Sequence, residues 1–218
     1  MYTQNYYNYF FIYSFCFYFI FLVDNLLTYL LGNKTRWFQL HFFINMVIVY
    51  LSYRQTYNIL LNPIKSYENN DDITCFSFAG LLHIYHSVFF KLKTIDYYHH
   101  ISSVFIPGLI INNVNRKITY LYYFFGTGLP GGLEYLSLVL NKQKYITKIQ
   151  QKYISSILNS YIRIPGAVIS SYLSFNIANN VSDNVMEQIS LYILTIIIFL
   201  NGIIFGKMSI ENYVEYKL

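Results

Sequence analysis

Seven apolar stretches, separated by short polar segments, organise this chain. They run over roughly 9–31, 37–53, 75–90, 97–111, 118–140, 152–178 and 186–206. A helix that crosses a bilayer needs about 20 mostly apolar residues at about 1.5 Å rise each, and most of these stretches approach that length. The last, "MEQISLYILTIIIFLNGIIFG", is the clearest; the fourth is short, and the fifth is interrupted by "GTGLPGG". The first lacks the basic leading region and small-residue cleavage site of a secretory leader. The pattern predicts an all-α integral membrane bundle of about seven transmembrane helices, in one domain over 1–218.

The polar segments carry an uneven share of charge. In alternating loops, Lys34, Arg36, Lys91, Lys93, Lys142, Lys144, Lys148, Lys152, Lys207 and Lys217 fall on one side. Arg54, Lys65, Arg116 and Lys117 fall on the other, and Arg163 lies inside the sixth stretch. The positive-inside rule makes the richer side cytosolic, with a lumenal N-terminus and a cytosolic C-terminus. The count requires an odd number of spans, which agrees with seven. On this orientation the sequon "NVS" at Asn180 is lumenal and "NKT" at Asn33 cytosolic, so only Asn180 is a glycan acceptor.

Composition agrees. Charged residues make up 11% of the chain and hydrophobic ones 55%, with a mean hydropathy of +0.35. Soluble domains carry charge at about a quarter of positions, enough to cover their surface. The net charge of +5 belongs to short loops rather than to a nucleic-acid-binding face, so membrane lipids are the expected partners and nucleic acid is not. The pattern assigns no oligomeric state. Tyr (25) and Phe (19) are abundant while Ala and Gly are sparse, a bias of AT-rich coding sequence that discounts aromatic stripes as functional signals. Cys16 and Cys75 make neither a disulfide framework nor a metal pattern.

Against this background the ionisable residues stand out, because such groups are costly inside a membrane and usually face a bundle interior or a cavity. Asp24 closes the first stretch and His41 opens the second from the same side. His83 and His86, one turn apart on a shared face, end the third. In "TIDYYHHISS", Asp96, His99 and His100 open the fourth, and Glu134 lies in the cytosolic third of the fifth. All five histidines therefore collect at one end of the bundle. Two readings are open. Histidines near an interface can be amphipathic anchors, with Asp96 capping a helix. Alternatively they form a reactive site: a histidine whose pKa lies near 6.5 accepts a proton from a hydroxyl or amine at neutral pH, and a carboxylate such as Asp96 orients the ring. Five histidines are too few for the diiron centre of membrane desaturases, so no metal is expected; a single zinc or iron held by four of these groups is the minor alternative.

The "D-x-x-H-H" of Asp96, His99 and His100, at the start of a middle span, resembles the TLC-domain family, whose members include ceramide synthases and lipid-sensing or lipid-trafficking proteins. "FFGTGLPGGLEYLSLVLNK" and "LNSYIRIPG" correspond loosely to that family's later polar helices, through Glu134, Asn159 and Arg163. The resemblance covers about 37–206 and lacks the further aspartates of ceramide synthases. It implies an endomembrane location such as the endoplasmic reticulum. It also implies lipid binding or acyl-CoA-dependent acyl transfer, with His99 or His100 as general base oriented by Asp96. His83, His86, Glu134 and Arg163 would then line the substrate site. Acyl-CoA would be a co-substrate, with no tightly bound cofactor. A non-catalytic lipid-binding or lipid-organising protein is the alternative. A second, more damaged resemblance is to fatty-acid elongases, through "KSYENNDD", "HIYHS", "RKITYLYY" and "TKIQQKY".

Two further features remain. "GTGLPGG" either kinks the fifth stretch to line a cavity or lets helices approach closely. Arg163, deep in the sixth, needs a partner, for which Glu134 is the candidate although the two sit at different depths.

Overall fold

A computed structural model describes residues 2–217 apart from 71, 93, 95, 96, 98, 99, 102–104, 112 and 115, with side chains from residue 8 onward. The described residues are helical and contain no strand. In chain order the helices are α1 (Tyr2–Leu31), α2 (Arg36–Leu61), α3 (Thr74–Phe89), α4 (Ile106–Ile111), α5 (Thr119–Leu121), α6 (Leu129–Lys142), α7 (Lys148–Leu158), α8 (Ile164–Asn180) and α9 (Val185–Lys217). Two π-helical segments, π1 (Tyr122–Gly128) and π2 (Asn159–Arg163), join α5 to α6 and α7 to α8 without a break in the rod.

The helices overlie the apolar stretches, but α2 and α9 run about 8 and 11 residues beyond theirs, and three boundaries have a clear local cause. Gly32, at φ 80°, ends α1 in a conformation an L side chain resists. Pro63 follows the end of α2. Thr147 opens α7 through a reciprocal capping box with Gln150. Of the fourth stretch, only α4 and a few isolated positions lie within the described residues.

Two helices are long and apolar enough to cross a membrane on their own sequence, over Asn8–Leu31 and Val185–Lys217. Only 22% and 28% of their apolar windows are buried, so neither is the sheltered core helix of a soluble domain. Phe10, Phe11, Tyr18 and Tyr29 on α1, and Ile196, Leu200 and Ile204 on α9, stand exposed; so do Tyr50 and Tyr53 on α2 and Tyr172 and Phe175 on α8. A contiguous apolar exterior of this kind requires an apolar surrounding or a partner.

α2 is less apolar because it sits at the centre. Its buried stripe reads His41, Asn45, Ile48, Ser52 and Thr56, at three- and four-residue steps, and it packs against α1, α3, π1 and α6. One apolar cluster joins α1, α2 and α3 through Cys16, Ile20, Ile44, Ile48, Phe78, Leu82 and Tyr85. A second joins the other half through Ile118, Leu121, Ile177, Leu191 and Leu194. The glycines serve close approach. A Cβ on Gly202 or Gly206 would collide with Ala167 or Ile164 of α8, so this four-residue glycine spacing lets α8 and α9 meet backbone to backbone.

Polar ties fix the ends. At one end, Asp24 accepts from Arg36 Nε (2.9 Å), Arg36 Nη2 (2.5 Å) and Tyr85 Oη (2.7 Å), which joins α1, α2 and α3 at one carboxylate. At the opposite end Arg116 donates twice to Glu187 at 2.9 Å, and Lys117 reaches Glu68 at 2.5 Å.

Candidate functional site

Four histidines from three places in the sequence meet beside the Asp24 tie. His41 comes from the first turns of α2, His83 and His86 from the last two turns of α3, and His100 from the segment beyond. Ring centroids lie 4.4 Å apart for His86 and His100, 4.9 Å for His41 and His86, and 5.3 Å for His83 and His100. His41 and His86 are buried almost completely. Asp96 and His99 lie outside the described residues.

The hydrogen bonds order these rings. Ser87 Oγ spends its single proton on the carbonyl of His83 (2.6 Å), so it accepts from His100 Nδ1 (3.1 Å). His100 Nε2 in turn lies 2.5 Å from His86 Nε2. His86 Nδ1 hydrogen-bonds with His41 Nε2 at 3.2 Å. These contacts make His41, His86 and His100 a row of linked imidazoles. His83 lies across the row. Its Nδ1–H donates to the carbonyl of Ala79 (2.7 Å), which leaves Nε2 as the lone-pair nitrogen.

Both nitrogens of His86 face other imidazoles, whereas metal ligands aim one lone pair each at a common point. Among the described residues no three His, Cys, Asp or Glu side chains form such a set.

Aromatic rings wall the row. Trp37, one turn before His41, lies 4.4 Å from His86 and 5.4 Å from His41, and Tyr135 of α6 stacks on His41 at 4.4 Å. These neighbours were not legible in a chain so rich in aromatic residues. Nor was the Arg36–Asp24–Tyr85 tie, which holds the α1, α2 and α3 ends that carry the site.

His83 also lines a mostly apolar cavity of about 180 Å³. Phe76, Ala79, Gly80 and His83 of α3 line it at helical spacing, as do Arg163, Ala167 and Ser170 of π2 and α8, and Leu194, Ile198, Asn201 and Phe205 of α9. His83, Arg163 and Phe205 mark the end nearer the histidine row; Phe76, Ser170 and Leu194 mark the other, about 10 Å away along α3 and α8 and about 16 Å along α9, at about 1.5 Å per residue.

"GTGLPGG" serves close approach and lines the cavity, without the expected kink. It widens the helix as π1, whose Gly126 lines the cavity. It also presses against α2: a Cβ on Gly128 would stand 3.0 Å from Val49 Cγ2, and one on Gly131 3.2 Å from Asn45 Nδ2. Arg163 and Glu134 do meet, Nη2 to Oε2 at 3.7 Å, while Ser155 donates to Glu134 Oε1 at 2.6 Å. The long arginine side chain, leaving a π-helical turn, spans the difference in depth. Its guanidinium also lies 5.1 Å from the ring of Phe205.

No protein-family model matches this chain, and neither does any curated protein or solved structure.

Proposed function

We propose that the chain is a seven-span endomembrane protein of TLC type that transfers an acyl group to a lipid acceptor, with a histidine of the cluster as proton acceptor. The observation that carries this reading is the convergence of His41, His83, His86 and His100 at one end of the bundle, with His83 opening onto an apolar cavity. Membrane anchoring needs no such convergence, since anchoring side chains face lipid. The apolar exterior, the two helices long and apolar enough to cross a membrane, and the seven apolar stretches of the sequence support the multi-pass arrangement.

The chemistry is acyl transfer from a thioester such as acyl-CoA. A histidine nitrogen takes the proton from the acceptor's O–H or N–H, and the freed oxygen or nitrogen attacks the thioester carbonyl. The new C–O or C–N bond forms, the C–S bond breaks, and the proton ends on the departing thiolate. His83 suits the role, because its Ala79 bond fixes the tautomer and turns the basic nitrogen outward from its own helix. The row of three imidazoles can pass a proton by exchanging tautomers, with His100 as the ring nearest the cytosolic turn. A non-catalytic lipid-binding protein is the competing reading.

Lipid mass spectrometry separates the two. Membranes that express the wild type are compared, at equal protein level, with membranes that express His83→Gln and His99→Ala/His100→Ala. A lipid that accumulates only with the wild type is the expected result. Identical profiles from correctly inserted proteins would overturn the enzyme reading in favour of lipid binding.

A further inference from the structure

Arg163 is the feature that the proposed function leaves unused. It is 7% exposed, its Nε has no hydrogen-bond partner among the described residues, and it lines the apolar cavity. A buried guanidinium N–H without an acceptor is costly, and its persistence in a folded interior points to an acceptor that arrives from outside.

Charge narrows the class of guest. Glu134, at 3.7 Å, already balances the guanidinium, yet the contact exceeds the roughly 2.7–2.9 Å of a tight charge-assisted bond, so it leaves donors to spare. A carboxylate guest would bring a second negative charge onto one cation in a poorly solvated place. A neutral oxygen acceptor would satisfy Nε with no such conflict. Beyond Arg163 the walls turn apolar through Ala167, Phe76 and Leu194 for about 10 Å, the shape of a hydrocarbon slot. At about 180 Å³ the cavity exceeds the roughly 150 Å³ that suffices for a benzene-sized guest in an apolar interior.

We infer that this cavity is a binding site for a neutral long-chain acyl group, ester or thioester, whose carbonyl oxygen accepts a hydrogen bond from Arg163 while its chain lies along α3, α8 and α9. The inference rests on the proposed function only in sharing the cavity. Binding is measured without turnover, so an inactive protein that binds and a protein that does neither give different results.

The test uses the purified full chain in a defined micelle, with native mass spectrometry against chain-matched probes: methyl dodecanoate, dodecanoate and dodecane. The wild type should bind the ester about tenfold more tightly than the alkane, the effect of one hydrogen bond to a charged donor. Arg163→Met should erase that preference and leave alkane binding nearly unchanged. Glu134→Gln, which removes the compensating carboxylate, should raise dodecanoate binding relative to the ester. Gly80→Leu fills the cavity, since a Cβ there meets nothing within 4 Å, and should abolish binding of all three. Equal binding of ester and alkane to the wild type would overturn the inference without any variant. So would an ester preference that survives Arg163→Met, or alkane and ester binding that survives Gly80→Leu.

Discussion

Replacing Asp24 by alanine should destabilise the protein by about 2–4 kcal/mol. The side chain is 1% exposed and accepts from Arg36 of α2 and Tyr85 of α3. Its loss leaves the buried Tyr85 hydroxyl without an acceptor, at a cost of about 1–3 kcal/mol. Arg36 keeps 31% of its side chain exposed, so its share falls below the roughly 3–5 kcal/mol of a fully buried broken pair and nearer to about 1 kcal/mol. Asp24→Asn retains an acceptor for Tyr85 and should cost about 1 kcal/mol. Unfolding in mixed micelles, followed by fluorescence of the single tryptophan, reads both effects, because Trp37 sits on the histidine rings that the tie positions. A double-mutant cycle with Tyr85→Phe should give a coupling of about 1 kcal/mol or more. A loss under about 1 kcal/mol for Asp24→Ala, or equal losses for Asn and Ala, would refute the reasoning.

Other expectations follow from separate observations. Gly166→Ala should lower stability by about 1–3 kcal/mol in the same assay, because the new Cβ collides with the Phe125 ring, whereas Gly80→Ala should be neutral or mildly stabilising. Translation into microsomes should add one glycan, at Asn180 and not at Asn33; the reverse pattern would invert the orientation drawn from the loop charges. Lys117 and then Lys65 hold the Glu68 carboxyl down at about 2. The contact therefore stabilises above the ordinary carboxylate range near 4.3 and fades as pH falls toward 2. Carboxyl NMR should show Glu68 charged at pH 4, and Lys117→Ala should move its midpoint up toward the ordinary range.

The end of α1 was legible because the first apolar run stops at Gly32, which also ends the helix; the end of α2 was not, because the helix continues past the second run through the mixed-polarity segment 52–61 to Pro63. The pairing of Arg163 with Glu134 was legible from cost alone: few ionisable residues lie that deep, so each has few choices of partner. The gathering of histidines at one end was also readable from loop counting. Their order was not. That His86 lies between His41 and His100 depends on the relative rotation of separate helices, which periodicity within one helix leaves open. The π-helical turns before Gly128 and at Asn159–Arg163 were equally hidden, since no residue pattern marks an extra residue per turn. They matter because they set the rotation at which Arg163 and Gly126 reach the cavity. Trp37 and Tyr135 were masked by abundance, one tryptophan and one tyrosine among many rings.

The most direct test of the account is release of free CoA by the purified chain in nanodiscs, supplied with long-chain acyl-CoA and a lipid extract as acceptor. The account predicts release matched by a new acyl lipid, with the rate reduced about 100-fold or more in His83→Gln, in line with the contribution of a positioned general base. Absence of release from a folded, lipid-embedded protein, or release at an unchanged rate in His83→Gln, would contradict it.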